Sequence, residues 1–361
     1  MSSTEETRRI VMKLAGVGAV AALALTACGN DDGGNGGGGD AEGSDADHGD
    51  ISIALSWIEN AEFAGEFFAQ ENGYYADHGF SSVEFVPGPG PIENMVASGE
   101  AEFGTSNAVA TGEIIAEEGA PLKIVGAKYQ HNPFTILSLA DEANIETPED
   151  LEGMTIGVQQ GGNEALFEAF MEVNGVDPST VTVVPVEYDP SPLIDGEVDG
   201  FFAYVINESI TVELLGHETT DLLLSTNGLP FVAEAFITTE EMIEENPELI
   251  KDFLAAEILG WKDAITDPEE GARLAVEEYG AHLDLEMDKE LRQAEVQIDL
   301  VLTDEVRENG LFTISEEHQQ ESVDSLTRAG VDVTTEDLFD LSLLEELLEE
   351  NPELAEIPDG V

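Results

Sequence analysis

From Ile51 onward, short runs rich in β-branched and aromatic residues alternate with longer stretches whose apolar residues recur every three or four positions. Strand and helix periods trading places in this way favour α/β units around a mainly parallel sheet. Ile51 to Trp57 alternates apolar and polar residues and reads as a strand. Ala61 to Asp77 carries Phe63, Phe67, Phe68 and Tyr74 at helical spacings and closes at Gly79. Val83 to Val86 reads as the next strand, stopped by Pro87-Gly88-Pro89-Gly90-Pro91. A helix over Ile92 to Ser98 with Gly99 at its C-terminus then leads into a strand at Phe103-Gly104-Thr105. Leu122 to Tyr129 and Phe134 to Leu139 follow as apolar strands.

A second set begins at Thr147-Pro148-Glu149-Asp150, where Thr147 is placed to cap a turn with proline at its first helical position. Its strands are expected at Thr155 to Val158, Val181 to Val186, Phe201 to Tyr204 and Leu222 to Leu224, with Phe231 to Thr238 as a return strand. From Pro247 the pattern is helical, with Phe253, Leu254, Ile258 and Trp261 on one stripe, and stays so to about Glu350. Ser98 to Thr105 and Asp195 to Phe202 echo each other: a helix end, glycine, glutamate, a small apolar residue, an acid, then a strand. Length and this repetition favour two lobes, each with polar residues at the carboxyl end of the echoed strand. Those residues are Ser106-Asn107 in one and Asn207-Glu208 in the other.

The chain carries 78 acidic and 12 basic residues, a formal charge of −66, yet 42% of its residues are hydrophobic. That apolar fraction is too high for a disordered acidic chain, so the charge belongs to the surface of a folded protein. Such a surface repels phosphate backbones and excludes nucleic acid as a partner. Self-repulsion of this size calls for screening by concentrated salt, as in halophilic organisms.

Ahead of the folded region, Arg8, Arg9 and Lys13 precede the apolar stretch Leu14 to Ala27, which ends in Leu25-Thr26-Ala27-Cys28. A basic segment, a short apolar core and small residues before a cut make up a secretory leader, residues 1–28 here, too short to span a bilayer. Thr7-Arg8-Arg9-Ile10-Val11-Met12-Lys13 resembles the twin-arginine export motif, and Leu25 to Cys28 resembles a lipobox whose cysteine becomes lipidated. The leader thus predicts an extracytoplasmic protein anchored to the outer face of the cell membrane through Cys28. Residues 29–50, nearly all Gly, Asp, Asn, Ser and Ala, read as a flexible tether. Cys28 is the sole cysteine, so neither a disulfide framework nor a thiolate metal site is expected.

Several stretches, in this order, resemble the type II periplasmic solute-binding proteins of ABC importers. The match is to the NMT1/THI5-like group, which gathers nitrate, sulfonate and taurine binders with thiamine-precursor binders. They are Trp57 to Asn60, Ala69 to Tyr75 before His78-Gly79-Phe80, Ser98 to Asn107, Thr147 to Gly157, Gly196 to Asn207, Asn246-Pro247-Glu248 and Gly260-Trp261. The resemblance implies two α/β lobes of mainly parallel sheets flanked by helices, with the ligand cleft between them. Residues 51–135 and 232–361 would form the first lobe, with the C-terminal helices, and residues 136–231 the second. It further implies a monomer that binds a small molecule and delivers it to a permease and its ATPase, with no cofactor and no metal.

In that fold the ligand meets the loops after the strands, which here offer Trp57, Asn60, Asn107, Gln130, Gln160, Tyr188, Tyr204, Asn207 and Glu208. These loops are rich in amides and aromatics and hold no arginine, with Lys128 the one nearby cation. Nitrate or a sulfonate would want basic side chains. Aromatic faces with amides and carboxylates suit a neutral or cationic heterocycle instead, such as a thiamine pyrimidine precursor, or equally a riboflavin-like ring. A nitrate, sulfonate or taurine binder is the alternative, followed by a pyrimidine-synthesis enzyme of the same fold group. Enzymatic chemistry is disfavoured because no Gly-x-Ser-x-Gly elbow or His-Glu-x-x-His helix occurs and the six histidines are widely spread. The charge leads to a first prediction: in thermal melts the midpoint falls as NaCl is lowered from molar to about 0.1 M, where the Debye length grows from about 3 to 10 Å. A melting point indifferent to salt refutes the screening account.

Overall fold

The computed structural model describes residues 46–160, 162–358 and 360–361. The leader with Arg8, Arg9 and Cys28, and the tether up to residue 45, lie outside the described residues. No helix among the described residues is long and apolar enough to cross a membrane.

Ten strands form two five-stranded sheets. The first holds β1 (Gly49–Ala54), β2 (Phe80–Val86), β3 (Phe103–Ser106), β4 (Leu122–Tyr129) and β10 (Ala233–Thr239), in the order β2-β1-β3-β10-β4. The second holds β5 (Phe134–Leu139), β6 (Thr155–Val158), β7 (Thr182–Pro185), β8 (Gly200–Tyr204) and β9 (Thr219–Leu223), in the order β7-β6-β8-β5-β9. β1 pairs in parallel with β2 and β3, as β6 does with β7 and β8. β10 is antiparallel to β3 and β4, and β5 is antiparallel to β8 and β9. The sheets are therefore mixed rather than simply parallel. In each, the one reversed strand is the first laid down after the chain crosses from the other sheet.

The echoed segments occupy equivalent places. Gly99 (φ 74°) and Gly196 (φ 71°) both sit in the left-handed region that ends a helix, just before β3 and β8. The acid that follows repeats one device. The Glu102 N–H donates to Ser52 O (3.1 Å) and the Ser52 N–H donates to Glu102 Oε2 (2.7 Å). Asp199 and Thr155 exchange the same two bonds at 2.7 and 2.8 Å. Each pair locks the entry of the middle strand against its parallel neighbour.

Two expected elements differ. The run from Ala61 to Asp77 is not one helix: a 3₁₀ turn at Ala61–Phe63 leads into Ala64–Glu71, and Gly73 (φ 77°) breaks the chain before Tyr74–Asp77. The first strand also begins before residue 51. β1 starts at Gly49, and His48 Nε2 lies 2.6 Å from Asp252 Oδ2 while its N–H donates to Gly79 O. Polar bonds, invisible to an apolar-run criterion, set that boundary.

The two crossings, 130–133 and 224–232, lie side by side. The Asn132 N–H donates to Phe231 O and its Nδ2 to Leu229 O, both at 2.9 Å. The Glu316–Arg328 helix clamps the return crossing, with Ser322 Oγ accepting from the Val232 N–H and Ser325 Oγ donating to Pro230 O.

On the outer side of the first sheet, Ala64–Glu71 packs tightly on the long helix Pro247–Thr266. The approach is set by two glycines: a Cβ on Gly260 would lie 2.2 Å from Gly65 O, and one on Gly65 would lie 2.2 Å from Trp261 Cδ1. Gly260→Ala is accordingly expected to destabilise the fold by about 1–3 kcal/mol, read as a lowered midpoint in guanidinium melts at molar salt. A variant as stable as the parent would show that the helices separate without cost.

Candidate functional site

The parallel strands of both sheets bring their carboxyl ends to one cavity of about 640 Å³ between the lobes. Ser56 and Trp57 follow β1, Asn107 follows β3, Gln159 and Gln160 follow β6, and Tyr204 ends β8 with Asn207 and Glu208 beyond it. Because β5 and β10 run the other way, they present their starts: Phe134 and Glu234. Glu234 sits at φ 46°, an unusual conformation for a residue with a side chain.

A buried charge cluster lies behind the wall at Glu234. Lys128 Nζ lies 2.7 Å from Glu66 Oε1 and 3.4 Å from Glu234 Oε2, and all three side chains are 0–1% exposed. Phe63, Trp261 and Phe236 face the ammonium at 4.8, 5.4 and 5.6 Å. Burial disfavours the Lys128 charge, but Glu66, Glu234 and Glu62 outweigh it and hold the amine above its usual range. Glu234 Oε1 accepts from Ser56 Oγ at 2.8 Å.

Glu62 lines the cavity at 1% exposure; no N–H or hydroxyl among the described residues donates to its carboxyl oxygens, and its one side-chain neighbour within hydrogen-bonding reach is the Glu234 carboxyl. Burial, and then the charge of Glu234, push its pKa well above the usual carboxylate range and favour the neutral, proton-donating form. Trp57 Nε1 is also buried and unpartnered at the cavity wall. Glu113, on the Ala108–Glu118 helix, is pushed up to about 7 by burial and then by Glu117 and Glu93. No lysine, arginine or histidine is among the described residues that line the cavity.

Of the nine expected contact residues, Trp57, Asn107, Gln160, Tyr204, Asn207 and Glu208 come together here. Asn107 Oδ1 is committed to the Val109 and Ala110 N–H groups at 3.0 Å, capping the Ala108–Glu118 helix. The Tyr204 ring meets Phe134 edge-on at 4.5 Å. Three lie elsewhere. Asn60 is fully buried and caps the turn that presents Glu62, accepting from the Glu62 N–H at 3.0 Å. Gln130 is turned to the C-terminal helices, donating to Thr313 O at 2.7 Å and bonded to His318. Tyr188 is 41% exposed and is not part of the wall. Glu62, Glu93, Glu113 and Glu234 are the residues that loop-based reasoning missed. The strand reversal explains Glu234, and an acid on the apolar run of 61–77 was the available signal for Glu62.

The NMT1/THI5-like family profile matches residues 60–271. A riboflavin-binding protein of Chloroflexus aurantiacus is 26% identical over 63% of this chain and 66% of its own length. A formylaminopyrimidine-binding protein of Halalkalibacterium halodurans is 25% identical over 61% of this chain and 68% of its own. The chain thus aligns with about two thirds of these curated relatives. Pyrimidine phosphate synthases of Saccharomyces cerevisiae match at 23% identity over 57% of this chain and 64% of theirs. Among solved structures, the periplasmic nitrate-binding protein of Synechocystis superposes with a TM-score of 0.63 at 12% identity, covering 87% of this chain and 92% of its own. That likeness shows the fold: two α/β lobes of the periplasmic-binding-protein type.

Glu208 supplies a pH test. Burial raises it from 4.5 to about 7 against the Tyr204 N–H that bonds it. A raised folded pKa means the folded state holds the extra proton, so this group makes stability fall as pH rises from about 4.5 through about 7. Glu208→Gln keeps the acceptor and removes the titration. Its melts should lack about 3 kcal/mol of the parent's decline across that window, and identical pH profiles would refute the burial account.

Proposed function

The chain belongs to the NMT1/THI5-like family, and on that premise we propose that it is the lipid-anchored, extracytoplasmic solute-binding component of an ABC importer. Cys28 anchors it, residues 29–45 tether it, and the lobe holding β1–β4 and β10 closes on the lobe holding β5–β9 about the paired crossings 130–133 and 224–232. A permease with its ATPase receives the cargo.

The proposed ligand is a neutral or cationic planar nitrogen heterocycle. One observation carries this: a cavity wall without a basic side chain among its described residues, lined by Glu62 and Trp57, whose buried side-chain polar atoms lack a hydrogen-bond partner of their own. An oxyanion would meet Glu62, Glu93, Glu113, Glu208 and Glu234 there with no opposing cation. The Lys128 ammonium is already bound to Glu66 and Glu234. The helix start behind Asn107 is no anion site either, since the Asn107 amide oxygen already takes its N–H groups. A ring edge that offers an N–H donor beside an acceptor pairs with the C=O and O–H of a neutral Glu62, a second acceptor on the ring satisfies Trp57, and its face rests on Tyr204. The cavity of about 640 Å³ holds a pyrimidine with substituents or a tricyclic ring.

A thermal-shift screen at molar salt against pyrimidines, flavins, polyamines, nitrate and sulfonates tests this. A planar heterocycle at a hundred times its Kd should stabilise the protein by about 2.7 kcal/mol, and Glu62→Gln and Tyr204→Ala should each weaken it about tenfold or more. Stabilisation by nitrate or sulfonates alone overturns the assignment.

A further inference from the structure

The six histidines are scattered along the sequence, and the fold gathers two of them at the hinge. We propose that His131, His318 and Glu321 form a binding site for a divalent transition metal of the Zn²⁺ class, fastening the first interlobe crossing to the C-terminal helix that clamps the second. One ring nitrogen from each histidine and one carboxylate oxygen of Glu321 lie within 4.8 Å of one another. His318 and Glu321 stand three residues apart on the Glu316–Arg328 helix, hence on one face. His131 reaches them from the crossing between β4 and β5, its ring edge-on to His318 with centroids 4.8 Å apart.

Outer partners already orient the inner ligand. His318 Nδ1 lies 3.2 Å from Gln130 Oε1 and 3.3 Å from Glu305 Oε2. The Gln130 amide is oriented by its other end, where Nε2 donates to Thr313 O at 2.7 Å. Both neighbours of Nδ1 are acceptors, an arrangement that suits the tautomer with its proton on Nδ1 and its Nε2 lone pair free for a metal. A histidine whose second nitrogen donates to an amide or carboxylate oxygen is the usual metal-binding form. Two imidazoles and a carboxylate suit Zn²⁺ and its neighbours and fit Mg²⁺ or Ca²⁺ poorly, since those prefer all-oxygen shells. Tetrahedral bonds of 2.0–2.1 Å place ligand atoms about 3.4 Å apart, so the groups need to close by up to about 1.4 Å from the 4.8 Å within which they lie. His131 is exposed and Glu321 half-buried, which leaves both side chains free to rotate.

The location gives the ion a mechanical role. Gln130 and His131 open the outgoing crossing, and the same helix holds the return crossing through Ser322 and Ser325. A metal at these three residues joins both crossings to one rigid element.

The test uses the full-length protein, stripped with a chelator and titrated calorimetrically with Zn²⁺ in molar NaCl and millimolar Mg²⁺, so that scattered surface carboxylates are screened and occupied. One saturable site per chain is expected, with Zn²⁺ raising the melting point. His131→Ala, at an exposed position, and Glu321→Gln should each weaken binding about tenfold or more, and His131→Ala should abolish the Zn²⁺-induced shift while its metal-free melt matches the parent. No saturable site, a site unchanged in the double variant, or an equal shift from Mg²⁺ alone overturns the proposal. Ligand capture does not enter any of these outcomes.

Discussion

Lys128 at the base of the cleft is the interaction on which the site depends. It sits one residue before β4 ends, and its ammonium binds Glu66 from the first long helix and Glu234 from the return strand, so it joins three distant parts of the chain. A buried ion pair of this kind gives little net stability, yet removing one partner strands a charge in a dry environment. Glu62 is neutral despite that cation, because burial and the charge of Glu234 outweigh the pull of Lys128 toward the ionised form. The ligand thus sees acids and amides, while the Lys128 ammonium is not part of the cavity lining.

Strand direction explains how that chemistry is delivered. Parallel strands in each sheet carry their loop residues to the cleft, and the reversed strands β5 and β10 carry their first residues there instead. The reversal follows from connectivity: a chain leaving the carboxyl edge of one sheet enters the other from the same edge and must run back across it. Both crossings consequently lie together at the cleft, where Asn132 ties one to the other and the Glu316–Arg328 helix packs on both. Hinge, ligand wall and the proposed metal site are consequences of one topological fact.

Much of the scaffold was legible in advance. The edges of Ile92–Ser98, Leu122–Tyr129, Phe134–Leu139 and Thr155–Val158 coincide with apolar runs bounded by glycine, proline or capping residues, where local signals and tertiary burial agree. The echoed Gly-Glu-x-acid segments marked equivalent strands because the same backbone lock, Glu102 with Ser52 and Asp199 with Thr155, requires the same residue types. Misreadings arose where local pattern and tertiary demand part. Gly73 breaks a run that is apolar enough for one helix, and Asn60 and Gln130 spend their amides on a cap and a helix contact instead of the cleft.

By itself the sequence determined the α/β alternation, the excess of acidic residues and most of the loop residues that reach the cavity, while the export and lipidation signals expected around Arg8, Arg9 and Cys28 lie outside the described residues. These depend on period, composition and short motifs, which are properties of neighbours along the chain. Only the tertiary structure decided that Glu62 and Glu234 face the cleft, that Lys128 is buried behind them, and that His131 meets His318 across nearly two hundred residues. Each of those depends on strand direction and on which crossing lies beside which helix, and no local preference encodes contacts between residues so far apart in the chain.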